Sequence, residues 1–315
     1  MELNYSQNGF FSIFDHLING QYESYPSLGH KILEESTVVQ NVSRKAEPFI
    51  KWAGGKRSLI DKLIENVPSN FNNYYEPFVG GGALFFALDV QGKRSYISDI
   101  NNDLILSYNA IKYNPIKLIE VLKRHYENHS EDYYYSTRSK HEMDDEMERA
   151  GRFIYLNKTC YNGLYRTNKL NQFNVPIGKN QTPAIVQEEK IFACHRALRS
   201  TTIHCKNFNH IEPYKNDFVY LDPPYHPVEE TSFTNYTRDD FKDKDQIMLR
   251  DFVLKLTNRG VKVMLSNSNT DFIKRIYIDE IKESPFSIEV VKAPRYINCK
   301  SNKRTPVKEV IIKNF

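Results

Sequence analysis

Phe218-Val219-Tyr220-Leu221-Asp222-Pro223-Pro224-Tyr225 is the stretch whose reading decides the fold. Four apolar residues in succession predict a buried strand that ends at a sharp stop. Two consecutive prolines remove two backbone donors and fix φ, so the chain stiffens as it leaves the sheet. A carboxylate then stands on one side of a rigid corner and an aromatic ring on the other. That pairing suits an exocyclic amine on a flat ring: the carboxylate and a proline-held carbonyl accept the two N–H hydrogens while the tyrosine stacks on the ring. Taken alone, the tetrapeptide reads equally well as strand-to-turn punctuation.

Upstream of it, a strand–turn–helix–strand order appears. Tyr74 to Val79 predicts a strand, Gly80-Gly81-Gly82 a turn, Ala83 to about Leu88 a helix, and Ser95 to Asp99 a second strand ending in a carboxylate. This is the opening of a doubly wound parallel sheet. Before it, Phe49-Ile50-Lys51-Trp52 looks extended and Ala53-Gly54-Gly55-Lys56 turns into a helix whose Leu59, Ile60, Leu63 and Ile64 share one face. From about 105 to 195 the rhythm breaks. A helix around Asp144 to Lys158 repeats Met147, Ala150, Gly151 and Ile154 at helical spacing, and a looser stretch rich in Asn, Gly and Pro follows from Asn162 to Pro183. The α/β pattern returns with Thr202 to Cys205, the strand into Asp222, a helix from about Asp243 to Arg259 and the strand Val261 to Leu265. Strand candidates near Ile288–Val291 and Lys308–Ile312 close the chain. The expected organisation is an N-terminal extension over 1–47 to which no role attaches, a sheet domain over 48–108 and 196–315, and an inserted, mainly helical lobe over 109–195.

At 315 residues the chain has ample length for a large core. Its net charge of +4 permits a nucleic-acid partner without demanding one, so the placement of the charge matters more than its size. Lys292, Arg295, Lys300, Lys303, Arg304, Lys308 and Lys313 are opposed almost only by Glu309. They read either as a solvated loop with a lysine-guarded edge strand or as a phosphate-contacting rim. Cys160, Cys194, Cys205 and Cys299 have no paired spacing, so neither a disulfide framework nor a zinc site is expected. None follows a proline, which removes the Pro-Cys nucleophile used for methylation at carbon 5 of cytosine. No apolar stretch is long enough to span a membrane and no signal peptide is evident, so a soluble, cytoplasmic protein is expected.

The Phe78-Val79-Gly80-Gly81-Gly82 turn lets a ligand approach the backbone, although Phe85 breaks the Gly-x-Gly-x-x-Gly spacing. A packing role for these glycines is the competing reading. Asp99, about 20 residues on, is placed to receive ribose hydroxyls, or else to cap the helix that begins near Asn101. Trp52, the one tryptophan, walls a nucleoside pocket or packs in the core.

Together, Phe49–Lys56, Glu76–Phe86, Asp99, Asn162-Gly163-Leu164-Tyr165-Arg166, Phe173-Asn174-Val175-Pro176 and Asp222–Tyr225 resemble the Dam-type DNA adenine-N6 methyltransferases of the α group. The motifs run in the family's order over residues 48 to 315. The resemblance implies a Rossmann-like sheet with a target-recognition lobe, S-adenosylmethionine as cofactor with S-adenosylhomocysteine as product, no metal, and double-stranded DNA as partner. It assigns the cofactor to Trp52, Lys56, Glu76, Pro77, Phe78, Gly80, Gly82, Asp99, Asn207, Phe208 and Asp222. Asn207 departs from the usual Asp or Ser, which weakens that hydrogen bond. It assigns catalysis to Asp222, Pro223, Pro224 and Tyr225, and DNA contacts to Lys51, Leu164, Arg166, Pro176 and Tyr236. GATC is the implied site, with a longer one such as GATATC as the alternative; the enzyme is either a solitary methylase or part of a restriction-modification system, in which case a cognate restriction endonuclease is a genetic rather than a physical partner. Methyltransferases for protein glutamine or small amines usually carry Asn in place of Asp222 and lack the lobe.

Overall fold

The computed structural model describes residues 44–88, 90, 93–228, 241–293 and 307–315. Residues 44–315 form one compact unit, distinct from 1–43. Its centre is a seven-stranded sheet made of β1 (Tyr74–Glu76), β2 (Ser95–Asp99), β3 (Thr201–Cys205), β4 (Phe218–Leu221), β5 (Lys262–Ser268), β6 (Ser287–Ala293) and β7 (Val307–Lys313). The spatial order is β3-β2-β1-β4-β5-β7-β6. The first five strands in that order run parallel, and β7 lies antiparallel to both β5 and β6. The order reverses between β1 and β4, and the crevice outside the carboxyl ends of strands at such a reversal is where doubly wound sheets bind ligands. The fold is therefore the expected α/β, Rossmann-like sheet.

Every residue of β4 is buried, as an apolar run without alternation requires of a central parallel strand. On one face Val219, Leu221, Val263, Leu265, Val310 and Ile312 pack with Leu249, Val253 and Leu256 of helix α8 (Asp243–Asn258). Pro77 follows β1 directly, has no N–H to offer a ladder, and the strand stops one residue before it.

Helices α1 (Ile60–Glu65) and α2 (Ala83–Ala87) are short, and α1 continues a 3-10 turn over Lys56–Leu59. Leu59 and Leu63 are buried as expected, but Ile64 is exposed; two helical turns present too narrow a stripe to cover all four apolar residues. The remaining helices are α3 (Asn102–Tyr113), α4 (Pro115–Glu127), α5 (Glu131–Ser139), α6 (Glu146–Thr159), α7 (Glu188–Leu198) and α9 (Asp271–Lys274). Their starts follow from sequence: Asn101 accepts from Leu104 N–H, Ser130 from Tyr133 N–H, and Asp145 from the N–H groups of Met147 and Glu148. Helix α3 packs on β2 and β3 and also on α6 and α7, so position 108/109 falls inside an element that serves both the sheet and the helical layer.

Phe49–Trp52 joins no strand; a side chain takes its hydrogen bonds, as Asn157 of α6 accepts from Lys51 N–H at 2.9 Å and donates to Lys51 O at 2.8 Å. One expectation needs correction. The lysine-bearing strand β7 is interior, between β5 and β6, and not an edge; its Lys313 bonds Asn66 at 2.6 Å. Arg295, Lys300, Lys303, Arg304 and Cys299 lie outside the described residues.

Candidate active site

Three carboxylates mark the carboxyl ends of β1, β2 and β4. At the end of β4, Asp222 Oδ1 lies 2.9 Å from Lys56 Nζ in an ion pair, and Lys56 also donates to Gly54 O at 2.5 Å. The Lys56 ammonium is thus the near neighbour of this oxygen. Burial pushes the Asp222 carboxyl up to about 6; Lys56 opposes that rise and Glu309 adds to it.

Tyr225 lies past the two prolines. Its hydroxyl donates to Glu309 of β7 at 2.9 Å, and its ring lies 4.5 Å from Lys56 Nζ. Glu76, at the end of β1, is fully enclosed. Its Oε2 accepts from Tyr74 Oη at 2.8 Å and from Phe85 N–H at 3.1 Å, yet burial, reinforced by Asp222, pushes it up to about 8. Near neutrality Glu76 therefore favours its protonated form.

At the end of β2, Asp99 accepts from Gly80 N–H at 3.1 Å on one oxygen and from Asn101 N–H at 3.0 Å on the other. The cap of α3 is Asn101, so Asp99 instead ties the glycine turn to the β2 loop. Burial raises its carboxyl above the ordinary range. Gly80 has φ +46° and Gly82 φ +67°, where glycine is at ease. A Cβ on Gly80 would lie 2.5 Å from Trp52 Cδ1, and one on Gly82 would lie 2.7 Å from Tyr108 Oη. The group that exploits the glycine turn here is Trp52 itself. Trp52 stacks on Tyr165 at 5.6 Å, a packing contact.

The other assigned positions divide. Phe78 and Phe208 stack at 5.2 Å beside the same strand ends, with Pro77 at the strand stop. Asn207 uses its side chain oxygen to cap a 3-10 turn, bonding Asn209 N–H at 3.4 Å. Lys51 is brought to the segment around Gly163: a Cβ on Gly163 would lie 2.6 Å from Lys51 Cδ, and Asn157 bonds Gly163 O as well as the Lys51 peptide. Residues 160–177 form a hairpin-like excursion with antiparallel bridges Cys160–Ile177 and Thr167–Phe173. On it Arg166 and Pro176 are exposed and Leu164 is half-buried. Arg166 Nε donates to Asn174 Oδ1 at 2.8 Å, which fixes the guanidinium while leaving donors for a second acceptor. Tyr236 lies outside the described residues.

Sequence reasoning missed Glu309 and Asn157. Glu309 was visible as the lone acid of a basic stretch, and that was its signal. Ile100, directly after Asp99, leaves 65% of its surface exposed. Among the described residues no cluster of three or more His, Cys, Asp or Glu could hold a metal, and no helix is long and apolar enough to cross a membrane.

A crevice of one buried and two half-buried carboxylates beside aromatic rings has the chemistry to meet a flat amine and a cationic donor. The profile of the D12 class of N6 adenine-specific DNA methyltransferases matches residues 52–297. The chain belongs to that family. It is 42% identical over 294 residues to the type II methyltransferase M.MjaIII of Methanocaldococcus jannaschii, covering 86% of this chain and 100% of the relative. It is 40% identical over 278 residues to the type II methyltransferase M1.LlaDCHI of Lactococcus lactis, covering 85% and 95%. It is 35% identical over 276 residues to a DNA adenine methylase of Haemophilus influenzae, covering 85% and 93%. As a D12-class protein this chain is a DNA adenine-N6 methyltransferase.

Proposed function

We propose that the protein transfers a methyl group from S-adenosylmethionine to N6 of an adenine flipped out of duplex DNA, within GATC. The observation that supports this most is the half-buried Asp222 carboxylate, ion-paired with Lys56 at the strand-order reversal and followed by a proline-stiffened corner and Tyr225. The donor's fit rests on the chemistry of the crevice: acids for a sulfonium cation, Asp99 for ribose hydroxyls, exposed Ile100 for an adenine face, and the Lys56 ammonium for a carboxylate. Glu76, Pro77, Phe78, Gly80, Gly82, Trp52, Asn207 and Phe208 shape the same space. When bound, S-adenosylmethionine supplies an electrophilic methyl on a cationic sulfur.

Adenine N6 is a poor nucleophile because its lone pair is delocalised into the ring. The Asp222 carboxylate and the Pro223 carbonyl each accept one N6 hydrogen, which draws the nitrogen toward sp3 character and aims its lone pair at the methyl. Tyr225 stacks on the extruded base and helps to offset the few kcal/mol of unstacking. The residues act by orientation and electrostatics, and no covalent enzyme intermediate is required. Asp at position 222 favours adenine N6 over cytosine N4.

The 109–195 segment is the target-reading lobe. Arg166 suits a bidentate contact with guanine O6 and N7, Leu164 a thymine methyl, and Lys51 and Pro176 the flanking positions; Tyr236 is assigned near the extruded base by resemblance alone. The type II relatives favour a cognate restriction endonuclease as genetic partner, and the cytoplasm is the setting such a role requires. The test is methyl-labelled S-adenosylmethionine with two duplexes that differ only by GATC against a scrambled site. Label confined to adenine in the GATC duplex is the expected result. Label in both duplexes overturns the site, and label in neither redirects the search to longer sites such as GATATC, then to RNA or other amines.

A further inference from the structure

Tyr225 is held through the peptides on both sides of it. Gln246, fully buried in the first turns of α8, donates from Nε2 to the Pro224 carbonyl at 2.9 Å. Asn267, fully buried on β5, accepts the His226 N–H on Oδ1 at 3.0 Å. The two amides are joined, because Asn267 Nδ2 donates to Gln246 Oε1 at 3.0 Å. Ser268 completes the grip, with its hydroxyl donating to the His226 carbonyl at 2.5 Å. A bridge of two side-chain amides thus runs from helix to strand and fixes the backbone immediately before and after Tyr225.

Burying two amides costs desolvation, and an apolar pair of similar volume would fill the same space without that cost. What an apolar pair cannot do is address named backbone atoms with fixed polarity. The Pro224 carbonyl is committed to α8 by this bond, so the acceptor beside Asp222 falls to Pro223. The tyrosine hydroxyl is fixed separately by Glu309, so ring tilt and backbone position have independent anchors.

We propose that the Gln246–Asn267 amide pair is a positioning element of the transfer step. It sets the two peptide planes flanking Tyr225 and thereby aims the ring and the Pro223 carbonyl at the base. This rests on the reading of Asp222–Tyr225 as the amine site. Neither amide touches the substrate in this scheme. Its loss therefore slows chemistry and spares binding, because a displacement of about 1 Å at reacting groups costs on the order of a hundredfold.

The test uses Gln246→Met and Gln246→Glu in the full chain, assayed by single-turnover methylation of a duplex that the unmodified enzyme labels. Donor and DNA dissociation constants and melting curves are measured alongside. Gln246→Met is expected to lower the single-turnover rate by about 10- to 100-fold with both affinities within about threefold. Gln246→Glu gives a readout that a packing role would not move. Its neutral acid copies the amide's polarity: the carbonyl accepts from Asn267 and the O–H donates to Pro224. Once ionised, it faces the Pro224 carbonyl with an acceptor. The ratio of its rate to that of the unmodified enzyme should be near one at low pH and fall as pH rises through the pKa of a buried carboxyl. The ratio cancels the titrations both proteins share, namely Asp222, Glu76, Glu309, and His226 with Asp243 and Asp245 on α8.

A Gln246→Met enzyme as fast as the original overturns the proposal, as does a loss that appears equally in donor or DNA affinity. A ratio for Gln246→Glu that does not change with pH also overturns it, and that variant decides alone if Gln246→Met does not fold. Failure of the unmodified enzyme to label adenine in any duplex would instead sink the amine-site reading and this proposal with it.

Discussion

Gly80→Ala is the perturbation whose cost the structure sets most closely. Gly80 sits at φ +46°, and an L-residue there costs about 1–2 kcal/mol in backbone strain. The added Cβ would also stand 2.5 Å from Trp52 Cδ1 and 2.7 Å from Nε1. Carbon contacts relax only near 3.5–4.0 Å, so the indole must shift by about 1 Å, an overpacking that costs roughly 1–3 kcal/mol. The two effects together come to about 2–5 kcal/mol, a large part of the stability of an ordinary domain. Gly81→Ala is the control, since its Cβ meets Trp52 Cβ at 3.3 Å and Pro48 Cβ at 3.9 Å and its φ is not positive.

Urea unfolding followed by far-ultraviolet circular dichroism measures both variants. Trp52, as the one tryptophan, reports by fluorescence whether the ring has moved in the native state. In a Trp52→Ala background the clash disappears and only the strain remains, so a double-mutant cycle should give a coupling of about 1–3 kcal/mol. Donor affinity should also fall, because the Gly80 N–H that Asp99 accepts belongs to the same turn. A Gly80→Ala protein as stable as Gly81→Ala, or a coupling of zero, would refute the reasoning.

Asp222→Ala should abolish transfer while DNA binding persists; turnover equal to that of the original enzyme would sink the mechanism. With Asp222 intact, the transfer rate should rise as pH passes about 6, where the carboxyl loses its proton, and a flat profile there would contradict its role. Arg166→Ala should relax specificity at one base pair by about 1–3 kcal/mol, read from rates on single-substitution duplexes. A uniform loss across all sequences would make Arg166 a phosphate contact instead. Glu76 sets a stability slope. Between its ordinary 4.5 and about 8 the folded chain holds a proton that the unfolded chain releases, so stability should decline as pH rises through that window and level off above it. Glu76→Gln should remove this part of the slope in chemical denaturation series, and an unchanged slope would show that the carboxyl ionises freely.

The sheet was legible because its signals are local. The apolar run before Asp222 marked β4, the carboxylate after Ser95–Ser98 marked the end of β2, and glycines with a helix after them marked the first turn. Phe49–Trp52 reads as extended in sequence, but the group that takes its backbone hydrogen bonds is a side chain 106 positions away. No local period encodes such a partner. Glu309 was missed for a related reason: its meaning comes from β7 lying between β5 and β6, which places position 309 beside position 225. Composition around it suggested only a basic rim. Ile64 was expected inside because helical spacing says which residues share a face, not how wide a face the neighbours can cover.

The interior place of β7 has a consequence for synthesis. Chains emerge N-terminus first, and the strand that fills the slot beside β5 is the last made of the seven. Until residues 307–313 emerge, β5 presents an unpaired edge and the Tyr225 hydroxyl lacks its acceptor. A nascent chain would therefore carry the tetrapeptide and the glycine turn long before it could use them, and a translation product cut short of β7 would leave no marks on the genome.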